Sequence, residues 1–486
     1  MNTYIGIDLG TSSVKLLLVG EDGRIISTHT EKYPISYPKS GWSEQNPLDW
    51  LDAIKRGVSN LLDGHNHSSV KGISFGGQMH GLVVLDKEDN VIRPCILWND
   101  GRTEKQTEYL NEVIGKEKLS VLTANIAFAG FTAPKILWIK ENEPENFEKI
   151  AKIMLPKDYI AYMLTGKHCT DLSDASGMLL LDVENKCWSE EMCNICSVKP
   201  EWLPTLYESY EAVGEIKAEY AELWEISESV TVAAGAGDNA AAAIGTGIVG
   251  DGGCNISLGT SGTVFISQDG FSVDSKNALH SFCHANGRYH LMGCILSAAS
   301  CNEWWMNVLD TTDYRKEQEN LELLLGKNDV FFLPYLMGER SPHNDVNAKG
   351  AFIGLRPTAT RGHMTLAVME GVAFALKDCV EIAKQNGLSI PSTRICGGGA
   401  KSKLWRQIIA NVLGIPVEVP SVEEGPAYGG AMLAMVASGA YESVEKAAEA
   451  ILSVSEVVYP DAELTALYAE KYKKFAKLYP ALKEAF

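Results

Sequence analysis

The chain has 486 residues, is 45% hydrophobic and 22% charged, and carries a formal net charge of -19. At roughly 100–200 residues per domain, this length predicts two or three domains, each able to bury a core. So acidic a surface repels phosphate backbones and argues against nucleic-acid binding; a nucleotide would need local backbone N–H groups, a lysine or a metal ion. The odd count of 11 cysteines is no disulfide framework and points to a reducing compartment. Cys193 and Cys196 form a CxxC without a second pair and are read as incidental thiols. His280 and His284 stand four apart, but their stretch "ALHSFCHA" is not helical and no metal role is assigned to them. "MNTYIGIDLG" has neither the basic region nor the apolar stretch of a secretory signal, and no apolar run approaches the ~18 residues of a membrane helix. A cytoplasmic protein without membrane partners is expected.

In chain order, residues 4–19, "YIGIDLGTSSVKLLLV", predict strand, tight turn, strand, and "EDGRII" (21–26) turns through Asp-Gly into a third strand. "NPLDWLDAIKRGVSNLLD" (46–63) has helical apolar spacing behind an Asn-Pro start. "VKGISFGGQMHGLVVLD" (70–86) reads as strand, Gly-rich loop, strand. Residues 104–230 look like an inserted helical region, after which "TVAAGAGDNAAAAIGTGIV" (231–249) returns to buried strand, Gly-rich turn and Ala-rich helix. The "LGTS" of residues 9–12 then recurs at 258–261, again between apolar runs. "TRICGGGAKSKLWRQIIANVLGIPVEV" (393–419) predicts strand, Gly-rich turn, helix, strand, and "EGPAYGGAMLAMVASG" (424–439) a small-residue helix. Strands alternating with amphipathic helices make an α/β protein. The repeated hairpin divides it into two related halves, 1–249 and 250–486, with the final helices as candidates to pack back on the first.

Two Gly-Thr-Ser hairpins facing one another would grip a polyphosphate through glycine's close approach, hydroxyl donors and successive N–H groups. Asp8 precedes the first hairpin where Ser257 precedes the second. A carboxylate beside phosphate calls for a cation, and Mg2+ suits one or two carboxylates plus phosphate oxygens. Lys15 adds a positive charge or faces solvent. Gly397-Gly398-Gly399-Ala400-Lys401-Ser402 joins a strand to a helix and offers a flat wall for a purine, although it lacks Walker A spacing. Asp238, in "GAGDNAAAA", is either an N-cap or a cleft-floor carboxylate able to take a proton from an alcohol, with Asn239 beside it for a polyol hydroxyl. Gln78, Met79 and His80 in "GGQMHG" form a polar cluster in an apolar setting, and Trp98 could hold a sugar face or be a core residue.

In these residues the chain resembles the FGGY carbohydrate kinases, and within them the xylulose-specific branch. "IGIDLGTSSVK", "GWSEQNPLDW", "ISFGGQMHG", "LWNDGRT", "GFTAPKILWIKENEP", "GAGDNAAAAIGTGIV", "PYLMGERSPHNDVNAKGAFIGL" and "GGGAKSKLWRQIIANVLG" occur in the family's order along nearly the whole chain. The resemblance implies a two-lobed actin-like, hexokinase-like (ribonuclease H-like) ATPase fold closing on a cleft. It implies ATP- and Mg2+-dependent phosphorylation of D-xylulose to D-xylulose 5-phosphate, feeding xylose catabolism into the pentose phosphate pathway. It makes Asp238 the base, Asp8 and Asp238 the carboxylates near the metal, and Met79 and His80 the sugar contacts, with Gln78, Trp98 and Asn239 nearby. Gly10, Thr11, Ser12, Lys15, Gly259, Thr260, Gly398, Gly399, Ala400 and Asn411 fall to the nucleotide. Other ketoses or polyols (ribulose, gluconate, glycerol), or a non-metabolic actin-like ATPase switch, stand as alternatives, and a homodimer is the base-rate expectation for a soluble enzyme.

Overall fold

The computed structural model describes all 486 residues. Its first half opens with β1 (Thr3–Leu9), β2 (Ser13–Gly20) and β3 (Ile25–Lys32), an antiparallel meander around the first Gly-Thr-Ser turn. Helix α1 (Pro47–Leu62) follows. Asn46 caps it by accepting the Leu48 N–H at 3.2 Å, and Pro47 sits where no N–H is needed. Its buried Trp50, Ile54, Val58 and Leu61 lie on one face. Next come β4 (Val70–Gly77), helix α2 (Pro156–Thr165), β5 (Ala212–Glu215), β6 (Thr231–Ala233), β7 (Ala236–Gly237) and helix α3 (Asp238–Gly245). The sheet runs β5-β6-β4-β1-β2-β3, with β4 parallel to β1, β6 parallel to β4, and β7 also paired to β4.

The second half repeats this plan with β8 (Cys254–Leu258), β9 (Gly262–Gln268), β10 (His280–Cys283), β11 (Tyr289–Ile295), α4 (Arg361–Gln385), β12 (Thr393–Cys396), α5 (Lys403–Leu413), β13 (Val417–Pro420) and α6 (Gly425–Ala437). Its sheet runs β10-β11-β9-β8-β12-β13, closed at the edge by the antiparallel β14 (Val454–Val458). In both sheets an antiparallel meander is extended by two parallel strands, β3-β2-β1-β4-β6 in the first and β11-β9-β8-β12-β13 in the second. The two "LGTS" turns are the same hairpin of the same fold unit.

The halves meet through α3 and α6, the helices that follow β7 and β13. A Cβ on Gly429 of α6 would fall 1.8 Å from the Ala241 carbonyl oxygen, and one on Gly245 of α3 would fall 2.7 Å from that of Gly425. Each helix lays a glycine against the other's backbone, closer than any side chain allows. A Cβ on Gly6 would meet the Ala427 oxygen at 1.8 Å, so α6 also presses on β1.

The segment that crosses back to the first half is therefore α6 with α7 (Val444–Ile451), whose Ala427, Tyr428, Met432, Val444 and Ala447 join the core of α3. The final helices do not. Helix α8 (Ala462–Phe475) and the residues beyond it send Tyr468, Phe475 and Tyr479 into the second core. They are held there by Glu370 of α4, which accepts from Tyr468 Oη at 2.8 Å and Lys471 Nζ at 2.5 Å. No helix is long and apolar enough to cross a membrane.

Replacing Gly429 with Val should lower the thermal midpoint by several degrees or more, because the clash is with backbone and cannot be relieved by a rotamer. Gly270→Ala, where the added Cβ meets nothing within 4 Å, is the control and should leave the midpoint within a degree or so. Equal midpoints for the two variants in a thermal scan would refute the tight crossing.

Candidate active site

The carboxyl ends of the parallel strands carry the chemistry. Asp8 near the end of β1 lies opposite Gly76 of β4, and Gly76 lies opposite Ala236 of β7, which leads into Asp238. The two carboxylates thus flank one glycine-bearing strand. Asp238 opens α3. Its Oδ1 accepts from the Asn239 backbone N–H at 2.7 Å and from Asn239 Nδ2 at 2.9 Å. Burial pushes its carboxyl up to about 6 against those two hydrogen bonds. Burial, then the Asp238 charge, pushes Asp8 up to about 7, with Lys15 opposing. Lys15 pairs with Glu424, just ahead of α6, and ties the first hairpin to the second half.

The first hairpin is braced from outside. Tyr33 Oη donates to the Gly10 carbonyl, Trp98 Nε1 to Thr11 Oγ1 at 3.0 Å, and Gln45 Nε2 to the Thr11 carbonyl at 2.7 Å. Ser12 stays exposed at the tip. Gln78 is buried and donates to Gln45 Oε1 at 3.1 Å, so its amide reaches the hairpin through Gln45. Trp98 leaves nearly half its surface, 45%, open beside that turn. Met79 packs on Gly237, where a Cβ would sit 3.0 Å from its Sδ. His80 follows, with its Nδ1 at 2.8 Å from the Gly177 carbonyl oxygen.

In the second half the Gly259 and Thr260 carbonyls accept from the Ala299 and Ala298 N–H groups at 2.8 and 2.9 Å, so the hairpin backbone is docked on the start of helix Ala299–Val308. The glycine run lies directly on it. A Cβ on Gly397, whose φ is +92°, would fall 2.8 Å from the Leu258 oxygen, and one on Gly399 would strike the Leu258 side chain at 2.7 Å. Gly398 faces open space and, with Gly399, Lys401 and Ser402, lines a cavity of about 1020 Å³ whose far wall includes Asn302, Tyr314 and Gln318. Of the residues expected at the nucleotide, only Gly398 and Gly399 line this cavity; the hairpin residues Gly10, Thr11, Ser12, Lys15, Gly259 and Thr260 lie outside it, and so do Ala400 and Asn411. Ala400 is buried beneath the turn. Asn411 is fully buried, and its Oδ1 accepts from the Asp461 N–H at 2.8 Å and Gln407 Nε2 at 3.1 Å. It braces the start of α8, because the helix rotates it away from the glycine end.

Sequence reasoning overlooked a charge cluster behind the strand ends. Lys157, wholly buried on α2, pairs with Asp158 at 2.6 Å and Asp171 at 2.8 Å, with Asp174 at 3.8 Å. Asp171 also accepts from Ser173 Oγ at 2.5 Å, and that hydroxyl in turn accepts the Gly237 N–H at 3.1 Å, one residue before Asp238. Burial and neighbouring carboxylates, Asp238 among them, push Asp174 well up. The only sequence signal was "PKDY" and "DLSD" in an apolar context. Lys135 and Gly177, both touching His80, were also overlooked.

A duplicated α/β unit with the same Gly-Thr-Ser hairpin in each copy, and Asp8 and Asp238 at neighbouring strand ends of the first, makes the two-domain α/β fold of a sugar kinase. Family models agree: the N-terminal domain of the FGGY family of carbohydrate kinases matches residues 3–245, and its C-terminal domain matches residues 254–438. The chain belongs to the FGGY family of carbohydrate kinases. It is 40% identical over 489 residues to the xylulose kinase of Escherichia coli K12, covering 99% of each. It superposes on a xyloylose kinase from Brucella ovis with TM-score 0.96 at 39% identity, covering 100% of both chains. It superposes on a gluconate kinase from Lactobacillus acidophilus with TM-score 0.95 at 26% identity, covering 99% and 98%.

Lys157→Met leaves three buried carboxylates without their cation and should cost about 3–5 kcal/mol. A carboxyl whose folded-state value is raised by burial contributes stability that is full below its ordinary range near pH 4 and is lost as pH rises through the raised value, and removing Lys157 raises these values further. The deficit in thermal midpoint should therefore be larger at pH 8 than at pH 5. A pH-independent deficit would contradict the charge account.

Proposed function

We propose that the protein transfers the γ-phosphoryl group of ATP to the C5 hydroxyl of D-xylulose, forming D-xylulose 5-phosphate and ADP. The observation that carries this reading is Asp238, a carboxylate at the head of α3 whose acidity has been moved to about 6 by burial. At pH 7.5 it is charged yet basic enough to take a proton from an attacking alcohol. Asn239 holds one of its oxygens, leaving the other for the sugar. The C5 oxygen loses its proton to Asp238 and attacks the γ-phosphorus, and the β-phosphate oxygen leaves with ADP. Gly10, Thr11 and Ser12 on one side and Gly259 and Thr260 on the other bind the phosphates, and the cavity at Gly398 and Gly399 takes the nucleoside. Closure of the halves around the pair would exclude the water that hydrolyses ATP.

A divalent cation fits the residues present. The Asp8 carboxylate accepts no hydrogen bond in the chain and is raised to about 7 by burial and by Asp238, as expected of a group lacking its counter-ion. No three acidic, His or Cys side chains are placed to hold a metal ion, the Asp158, Asp171 and Asp174 group being occupied by Lys157, and Mg2+ needs only one or two carboxylates besides phosphate and water. Asp8, with Asp238 behind it, would hold the ion, which supplies charge neutralisation on the phosphate oxygens.

The choice of D-xylulose is supported by 40% identity along the whole length of a xylulose kinase and by the "GGQMHG" segment that carries His80. The fold alone does not choose the sugar, since the gluconate kinase superposes almost as well.

A coupled ADP-release assay over a panel of ketoses, polyols and aldonates, with and without Mg2+, is expected to show turnover that requires both D-xylulose and the metal. Exclusive activity on another sugar would overturn the substrate but keep the chemistry. ADP release independent of any sugar would favour a nucleotide switch. Asp238→Asn should lower kcat by about 10²–10⁴-fold with ATP affinity nearly unchanged. In the wild type, kcat/KM for the sugar should climb as pH rises through about 6, where Asp238 loses its proton.

A further inference from the structure

Lys135 is fully buried on the helix Thr132–Asn142 and forms no ion pair. Its Nζ donates to two carbonyls, those of His80 and Gly130, each at 2.7 Å. Thr132 Oγ1 donates to the same His80 carbonyl at 3.1 Å. A lysine is costly to bury, and here the lysine and the threonine one turn before it converge on the carbonyl of His80.

That peptide is unusual. His80 has φ +69°, in the left-handed region that a residue with a Cβ seldom occupies without support. Its ring is fixed on two further sides. Nδ1 lies 2.8 Å from the Gly177 carbonyl oxygen. Phe131, one residue before the Lys135 helix, packs its ring 4.6 Å from the imidazole. Gly177 is required there, because a Cβ would fall 2.3 Å from His80 Cε1. A carbonyl only accepts, so Nδ1 carries the hydrogen and Nε2 presents a lone pair. Nε2 has no partner within the chain, whereas the two neighbouring groups of the residue, its carbonyl and Nδ1, are both engaged.

We propose that Lys135 is a positioning residue for ketose recognition: by clamping the His80 carbonyl it holds the imidazole against the Gly177 carbonyl, which selects the Nδ1–H tautomer, and the free Nε2 accepts a hydrogen bond from a sugar hydroxyl. This rests on the ketose-kinase reading above. A neutral acceptor nitrogen takes a hydroxyl and repels a carboxylate, so the same clamp discriminates against an aldonate group placed at that point. Burial, reinforced by the Lys135 charge, holds the imidazole down to about 3, which keeps it neutral at working pH. Burial brings Lys135 down to about 7, and either of its protonation states supplies the two N–H groups that the carbonyls accept.

The test is a pair of variants of the full chain, Lys135→Met and the milder Thr132→Val, assayed for ketose and ATP separately and observed by ¹⁵N-histidine NMR without sugar. His80→Asn serves only to assign the resonance. In the wild type, Nε2 of His80 should show the shift of an unprotonated ring nitrogen. Lys135→Met should raise the ketose KM tenfold or more, change the ATP KM less than twofold, lower kcat less than threefold and perturb the His80 Nε2 signal. Thr132→Val should raise the ketose KM two- to fourfold, and it decides the matter if Lys135→Met does not fold. An unchanged ketose KM, or equal losses for ketose and ATP, would reduce Lys135 to a structural brace and overturn the proposal. So would a protonated Nε2 in the wild type. The NMR arm involves no substrate, so it separates failure of this inference from failure of the ketose reading, which would appear as wild-type inactivity on ketoses.

Discussion

The close crossing of α3 and α6 governs the rest of the molecule. Gly245 and Gly429 let two helix backbones touch, and Gly6 lets α6 press on β1. Both helices follow the last parallel strand of their half, so their contact sets the relation of one sheet to the other. It also sets the depth of Asp238, the first residue of α3, and brings Glu424 to Lys15 at the edge of the first hairpin. A side chain at either glycine would separate the halves at the point where phosphate donor and acceptor must meet. Tyr428 and Tyr441 strengthen the same joint by donating to the Gly23 and Glu21 carbonyls at 2.6 and 2.7 Å.

Charge burial is the second constraint. Asp8 and Asp238 sit in surroundings that disfavour their ionised forms, which suits them to the cation-holding and base roles proposed above. Such groups destabilise the strand ends that carry them, and the fold offsets this from behind. Lys157 anchors Asp158 and Asp171, and Asp171, through Ser173, holds the Gly237 N–H immediately before the base. The buried ion pairs therefore hold the backbone immediately before Asp238, and breaking them by removing Lys157 would leave buried charge uncompensated.

Much of this was legible in the sequence because it is local. Strand, tight turn and strand at 4–19 and again around 258–261 follow from alternating apolar runs and Gly-Thr-Ser, and α1 follows from Asn46-Pro47 and its apolar period. Asp8, Asp238 and the glycine run at 397–399 could be singled out because each stands in a small-residue loop at a strand end. What escaped was long-range. Lys157 and Lys135 look like ordinary helix lysines, and only tertiary packing buries them. Asn411 shares a helix with the glycine turn, yet its place near the other end of α5 carries it to Asp461. The final helices stay on the second core because Tyr468, Phe475 and Tyr479 find their partners there, which no pattern within those helices could disclose.

The repeated turn has a physical reason and so does its inexact repetition. A duplicated sheet presents two equivalent hairpins to one polyphosphate, which is why glycine, threonine and serine recur. Phosphoryl transfer, however, needs one acceptor and one base. The first half keeps Asp8 before its hairpin and Asp238 at the head of its last core helix. The second half has Ser257 and Gly425 in those places. There the hairpin backbone is spent on the helix at Ala299 and on the overlying glycine run, leaving a flat wall and an open cavity at Gly398. Two copies of one unit have thus diverged at equivalent places: on the reading proposed above, the first would supply the carboxylates for proton and cation, and the second the glycine wall beside an open cavity for the nucleoside.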